Sequence, residues 1–209
     1  MYRVSKKKLV LATKSPRRIA LLKELGIDFL VIKPRTYESI RRAQPRSIVL
    51  DNARRKAYSV LDSVPYNAVV VAADTIIVDD GNRVYGKPSS LSEAARILKI
   101  LRGKWHRVLT GVYIVDVPDK LEDFFVSETK VKLRNFSDKE LEVYLSSLES
   151  LDKAGAYALQ GIGRFLVEEI IGDPYNVVGL PLSKLYEVLL KHGIDLLKMA
   201  VMKKVVGAP

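Results

Sequence analysis

The string Thr13-Lys14-Ser15-Pro16-Arg17-Arg18 puts two hydroxyls, a lysine and two arginines at the point where a helix should begin. Amides in the first turn of a helix lack intrahelical acceptors and face outward with a favourable dipole, so such a point binds anions. Arginines there oppose the helix dipole, which implies that something negative normally sits among them. Guanidinium groups also grip phosphate oxygens in a directed, bidentate way. An ordinary N-cap with solvent-exposed arginines would produce the same string.

Three further places carry usable chemistry. Asp74 ends the apolar run Ala68-Val69-Val70-Val71-Ala72-Ala73 and is followed by the hydroxyl of Thr75. A carboxylate placed there needs hydrogen bonds or a cation, although one that merely caps a turn would read the same way. Tyr85-Gly86-Lys87-Pro88 offers a lysine whose backbone is restricted by the following proline. In Lys153-Ala154-Gly155-Ala156-Tyr157-Ala158-Leu159-Gln160-Gly161 small residues surround Tyr157, and Gln160 can both donate and accept, as reading a base edge requires. Satisfying buried loop backbone is the competing use of that glutamine.

Composition narrows the chemistry. With no cysteine, thiolate catalysis, disulfides and cysteine zinc sites are excluded. Two histidines, His106 and His192, are too few for a histidine-rich centre, so a metal would be a hard cation, Mg²⁺ or Mn²⁺, held by carboxylates and phosphate oxygens. His106 reads as structural. The net charge of +11 attracts polyanions, nucleic acid and nucleotides alike. Dispersed basic residues and 8% aromatics argue against nucleic acid as a stable partner. Neither a phosphate-binding Gly-x-x-x-x-Gly-Lys-Ser/Thr loop nor a Gly-x-Gly-x-x-Gly fingerprint is present. No signal peptide or membrane-length apolar run is read, so the expected location is the cytoplasm.

The elements that must position these residues follow from periodicity and punctuation. Lys8 to Ala12 reads as a buried strand, Pro16 to Gly26 as a helix and its stop, Ser47 to about Leu61 as a second helix, and Ala68 to Ala73 as a central strand. Thr75 to Val78 is a further strand segment before the Asp79-Asp80-Gly81-Asn82 turn. Capping boxes at Ser90/Glu93 and Ser137/Glu140 open two more helices, and Arg107 to Val115 and Phe124 to Leu133 form two long strands. A glycine-rich section runs from Gly155 to Gly179, and the last clear helix runs from near Pro181 to Gly193. The expectation is a single domain over 1–209, α/β, with a mixed twisted sheet flanked by helices and bent into two lobes around a central cleft. A basic tip at about 1–7 and a tail at about 201–209 are expected to be peripheral.

Taken together, these strings resemble the Maf family of nucleoside triphosphate pyrophosphatases. The resemblance runs nearly the full length: Leu11 to Arg18 with Leu21, Leu22 and Gly26, then Ala73-Asp74-Thr75, Gly86-Lys87-Pro88, Thr110-Gly111-Val112, Lys153 to Tyr157, Gln160-Gly161, and Asn176 to Pro181. Each string is short, and their order and spacing make the match specific. Thr13 stands where serine is usual, Lys14 where a small or uncharged residue is usual, and Leu159 where isoleucine is more frequent.

The resemblance implies a Maf/ITPase-like fold, commonly a homodimer, with Asp74 as catalytic proton acceptor. It places Thr13, Arg17, Arg18, Lys56 and Lys87 around the phosphates, with Glu38 as a further polar residue. It also implies the dTTP/UTP subgroup through Arg17, Thr75 and Gln160. The expected reaction is metal-dependent cleavage of the triphosphate to monophosphate and pyrophosphate, with Asp74, and Glu38 beside it, as metal-holding carboxylates. Whether Asp74 is the base or chiefly a metal ligand is open at this level. The rival class is a nucleic-acid-binding or division-regulatory protein with a vestigial nucleotide site.

Overall fold

The computed structural model describes residues 7–40 and 44–206. In chain order the elements are β1 (Lys8–Ala12), α1 (Pro16–Glu24), β2 (Leu30–Ile32), α2 (Pro45–Tyr58), β3 (Ala68–Val78), β4 (Val84–Tyr85), α3 (Leu91–Leu101), β5 (Trp105–Asp116), β6 (Leu121–Leu133), α4 (Asp138–Ser146), β7 (Val167–Ile171), α5 (Pro174–Val178), α6 (Leu182–Lys191) and α7 (Leu196–Val206). The result is a mixed α/β fold built on one seven-stranded sheet in the order β2-β1-β3-β5-β6-β7, with β4 paired to β3. β1 is parallel to both β2 and β3, and the remaining pairings are antiparallel. β3 is therefore the strand where parallel and antiparallel halves meet.

Alternation along β3 decides what faces what. Val69, Val71 and Ala73 point into a core shared with Leu21 and Leu22 of α1 and Leu185 and Leu189 of α6. Val70 and Ala72 point the other way, onto Ala53 and Ala57 of α2. By the same period of two, Asp74 faces α2 and Thr75 faces α1. Further along, Ile77 joins a third cluster with α3, α4 and Tyr157.

The two strand segments expected before and after Asp74 are one continuous strand, since β5 pairs with it from Val69 to Val78. α2 begins at Pro45 and stops at Tyr58, short of Leu61, with the Ser59 hydroxyl donating to the Lys56 carbonyl at 2.9 Å. Of the two capping boxes, the Ser137/Glu140 pair closes in both directions. At Ser90 only the hydroxyl half forms, because Glu93 turns to the amide and hydroxyl of Ser89. The short strands β2, β4 and β7 were not foreseen. β7 lies inside the glycine-rich section and bonds β6 over four residues.

At the chain's ends, residues 1–6 of the basic tip and 207–209 of the tail lie outside the described residues. Lys7 pairs with Asp116 at 2.7 Å and Asp119 at 2.5 Å. α7 carries helix into the expected tail, with Met199 and Ala200 packed on the core and Lys203 paired with Asp28. No helix among the described residues is long and apolar enough to cross a membrane.

Candidate active site

One cleft brings together Ser15, Arg17 and Arg18 of the first helix start, Glu38, Asp74 and Thr75, and Lys87, floored by Ile77, Ala154, Tyr157, Val177 and Val178. Its lining draws on the two largest core clusters, so it lies between them. The helix start and the acid on the inner strand therefore share one cavity. This position, beyond the carboxyl ends of the parallel strands, is where open α/β sheets place ligands.

On the α2 face, Asp74 is 3% exposed and both its oxygens are engaged: Oδ1 by the Lys56 ammonium at 2.6 Å, Oδ2 by the Asn52 carboxamide at 2.7 Å. Lys56 also donates to Glu38 Oε1 at 2.8 Å and to the Ala73 carbonyl at 3.3 Å. Its three protons thus all have protein acceptors, and Lys56, expected at the phosphates, ties the two carboxylates together. Lys87, at 3.4 Å from Glu38, is the exposed cation of the group. Partial burial works against the Glu38 carboxylate, but Lys56, then Lys87 and Arg18, outweigh it and hold Glu38 down to about 2.

The glycine opposite Asp74 explains how α2 reaches it. Gly111 is the cross-strand partner of Asp74 on β5. A Cβ there would stand 2.7 Å from the backbone carbon and oxygen of Val49. Only a residue without a side chain lets α2 lie this low on the sheet, which is what brings Asn52 and Lys56 to the carboxylate.

On the α1 face, Arg18 is buried, and its Nε, Nη1 and Nη2 donate to the Gly179 carbonyl, the Ala73 carbonyl and the Thr75 hydroxyl at 2.6, 2.9 and 2.8 Å. Thr75 continues to Thr110 at 2.9 Å, and Thr110 to the Asn176 carbonyl at 3.0 Å. Arg18 therefore holds Thr75 and the Gly179 turn with three of its five N–H donors, and it lines the cleft with the second proton of each terminal nitrogen outside these bonds. Arg17 is different. It lines the cleft, its buried Nε has no acceptor, and no carboxylate lies within ion-pair distance among the described residues. Burial pulls its pKa down, with Asp152 and then Tyr144 opposing.

Three expected residues sit outside the lining: Lys56, behind the two carboxylates, Thr13 and Gln160. Thr13 is buried and its hydroxyl accepts from the Ser15 amide at 3.0 Å, which shapes the turn into α1. Ser15 is the N-cap by backbone conformation and makes no side-chain cap bond. Gln160 is half-buried just before Gly161, and the structure does not bring it to the cleft beside Asp74. His106 is buried and hydrogen-bonds the Tyr157 hydroxyl through Nε2 at 2.6 Å, a structural role that fixes the cleft floor. Asn52 was missed. The signal was available, because Ile48, Val49, Asn52, Ala53, Lys56 and Ala57 fall on one helical face and two of those six are polar.

As a test of metal fit, the cleft offers two hard-oxygen carboxylates, Asp74 and Glu38. Among the described residues there is no group of three or more histidine, cysteine, aspartate or glutamate side chains able to form a cage. Mg²⁺ keeps several waters and takes one or two carboxylates plus phosphate oxygens, so the set fits an ion that arrives with a triphosphate.

The family model described as Maf-like protein matches residues 8–192. A relative from Staphylothermus marinus, named dTTP/UTP pyrophosphatase, is 53% identical over 200 residues, covering 95% of this chain and 96% of its own. A Dictyoglomus turgidum protein of the same name is 44% identical over 194 residues, covering 92% of this chain and 100% of its own. Among solved structures, that of a HAM1 protein from Coxiella burnetii aligns over 96% of this chain and 98% of that one, at 12% identity and a TM-score of 0.45. The chain belongs to the Maf-like protein family.

Proposed function

We propose that this protein hydrolyses the α–β phosphoanhydride of dTTP and UTP, releasing the monophosphate and pyrophosphate. The observation that carries the reading is the shared cleft: a guanidinium with an unanswered buried donor, Arg17, faces a carboxylate pair, Asp74 and Glu38, with Lys87 at the rim. The relatives named dTTP/UTP pyrophosphatase support the substrate class.

In this reading the triphosphate lies with its phosphates against the start of α1, where the open amides and Arg17 accept negative charge. Lys87 neutralises charge that builds on the departing pyrophosphate. Asp74, oriented by Lys56 and Asn52, takes the proton from the attacking water on a carboxylate oxygen. Mg²⁺ or Mn²⁺, held by Asp74 and Glu38 together with phosphate oxygens, would supply Lewis-acid stabilisation of the phosphoryl oxygens. Gln160, which carries both a donor and an acceptor, meets a pyrimidine edge. Thr75, immobilised by Arg18 and Thr110, shapes the wall next to it.

The deciding experiment is a panel of canonical and modified nucleotides assayed for both pyrophosphate and monophosphate, with and without chelator. Release of pyrophosphate from UTP and dTTP, lost with chelator and restored by Mg²⁺ or Mn²⁺, is expected. Orthophosphate as the first product, or faster turnover of purine triphosphates, would defeat the assignment. We also propose a cytoplasmic homodimer, which sedimentation velocity tests. An exposed apolar surface at Val143, Ile162 and Phe165 supports self-association.

A further inference from the structure

We infer that Asn52 is a positioning residue for the hydrolysis proposed above, on which this inference rests: its carboxamide fastens Asp74 to the loop that carries Glu38 and so fixes the two carboxylates relative to each other. The side chain is 2% exposed. Its Nδ2 donates to Asp74 Oδ2 at 2.7 Å and to the Ser39 carbonyl at 3.2 Å, while Oδ1 accepts from the Ser39 amide at 3.0 Å and from Arg55. The orientation of the amide is determined by its surroundings. Turned over, it would set its oxygen against the Asp74 carboxylate and its NH₂ against the Arg55 guanidinium.

The arrangement goes beyond filling space. Residues 33–40 form no helix or strand, so the Glu38 backbone is held by individual contacts, and the two bonds to Ser39 clamp it one residue away. Lys56 makes the matching link through side chains, touching Asp74 and Glu38 at once. Asn52 and Lys56 stand four residues apart on one face of α2, so a single rigid helix presents both links. A leucine would fit the volume, yet it would leave Asp74 Oδ2 and both backbone groups of Ser39 without these partners.

Two variants separate the links. Asn52→Asp keeps the shape and the acceptor toward Ser39 and Arg55 but cannot donate to Asp74. Asn52→Leu loses both functions. Each is assayed on UTP well below its melting midpoint, and amide hydrogen exchange at Ser39 is measured without nucleotide. We expect Asn52→Asp to lower kcat at least tenfold with KM within twofold. Asn52→Leu should show a similar loss in kcat, a raised KM, and exchange at Ser39 at least tenfold faster than wild type. Asn52→Asp with kcat within twofold of wild type, or Asn52→Leu with unaltered exchange, overturns the inference. Should Asn52→Leu not fold, the kinetics of Asn52→Asp decide. If wild type releases no pyrophosphate from UTP or dTTP, the hydrolysis reading fails, and the exchange comparison still shows whether Asn52 holds the loop.

Discussion

On the α2 face of β3, Asp74, Lys56, Glu38 and Asn52 answer one another bond for bond, whereas on the α1 face Arg17 is left half-buried with a donor, Nε, that has no acceptor among the described residues. Both faces carry charge out of bulk water, and charge so placed is costly unless paired. The acid face meets that cost internally, so its geometry is set before any ligand arrives. The arginine face leaves the cost standing, which is what a site reserved for an anion requires. Substitutions should therefore behave differently on the two faces: on the acid face stability and activity fall together, and on the arginine face they separate.

The largest effect is expected at the centre of the acid face. Asp74→Asn removes the proton acceptor and the negative partner of Lys56, so kcat should fall by a factor on the order of 10² to 10³. Stability should fall as well, by about 1–3 kcal/mol, because Lys56 keeps only Glu38 as a charged partner. Steady-state kinetics and urea unfolding of the same preparation check both. Near-normal turnover in a folded variant would remove Asp74 from the chemistry.

Next in size is a change that touches no charge. Gly111→Ala would press a methyl group 2.7 Å from the Val49 backbone. Backbone cannot move aside as a flexible side chain can, so a loss of about 1–3 kcal/mol is expected. α2 should shift outward with it, carrying Lys56 and Asn52 from Asp74 and lowering kcat several-fold. An unchanged melting midpoint would show that α2 does not rest on the sheet at this point.

These residues also show how far the sequence could be read. The fold class, the long strands and five of the helices followed from period and punctuation, since Ala68–Val78 is apolar on both faces and the caps at Ser15, Ser90 and Ser137 lie where helices start. Asp74 was legible because a carboxylate after an apolar run is chemically conspicuous. What each cation does was not legible. Arg17 and Arg18 are adjacent and identical in type, and only the path of the chain 161 residues later, at Gly179, engages one and leaves the other unanswered. Asn52 and the Gly111 contact depend on how low a helix sits on a sheet, a distance that side-chain periodicity does not encode. β2, β4 and β7, of two to five residues, are too short to show a period.

A third expected effect lies beneath the arginine face, where His106 holds Tyr157 at the floor of the cleft. Burial, opposed by a backbone hydrogen bond at Lys104, pushes His106 down to about 4. The unfolded chain takes up this proton near 6.5 and the folded one resists until about 4, so the contribution is complete above pH 7 and is lost as pH falls through that window. About 2 kcal/mol should disappear between pH 7 and pH 5. Urea unfolding at the two pH values measures it, and His106→Gln should flatten the difference. An equal slope in the variant would place the acid sensitivity elsewhere, with the acid-face carboxylates as the next groups to examine.

The smallest effect is the one that tests the comparison most directly. Arg17→Met keeps most of the apolar stem and removes the guanidinium, taking away a desolvated charge that has no ion-pair partner among the described residues. Stability should stay level or rise by about 1 kcal/mol, the opposite sign to Asp74→Asn. For UTP, KM should rise about tenfold with kcat changed less, as expected when a contact made equally to bound substrate and transition state is lost. Inorganic pyrophosphate, a product carrying the same charge, should inhibit the variant correspondingly more weakly. A loss of stability equal to that of Asp74→Asn would mean that Arg17 is already satisfied within the fold. The contrast between the faces would then fail, and the anion would have to be held by Lys87 and the open amides of α1 alone.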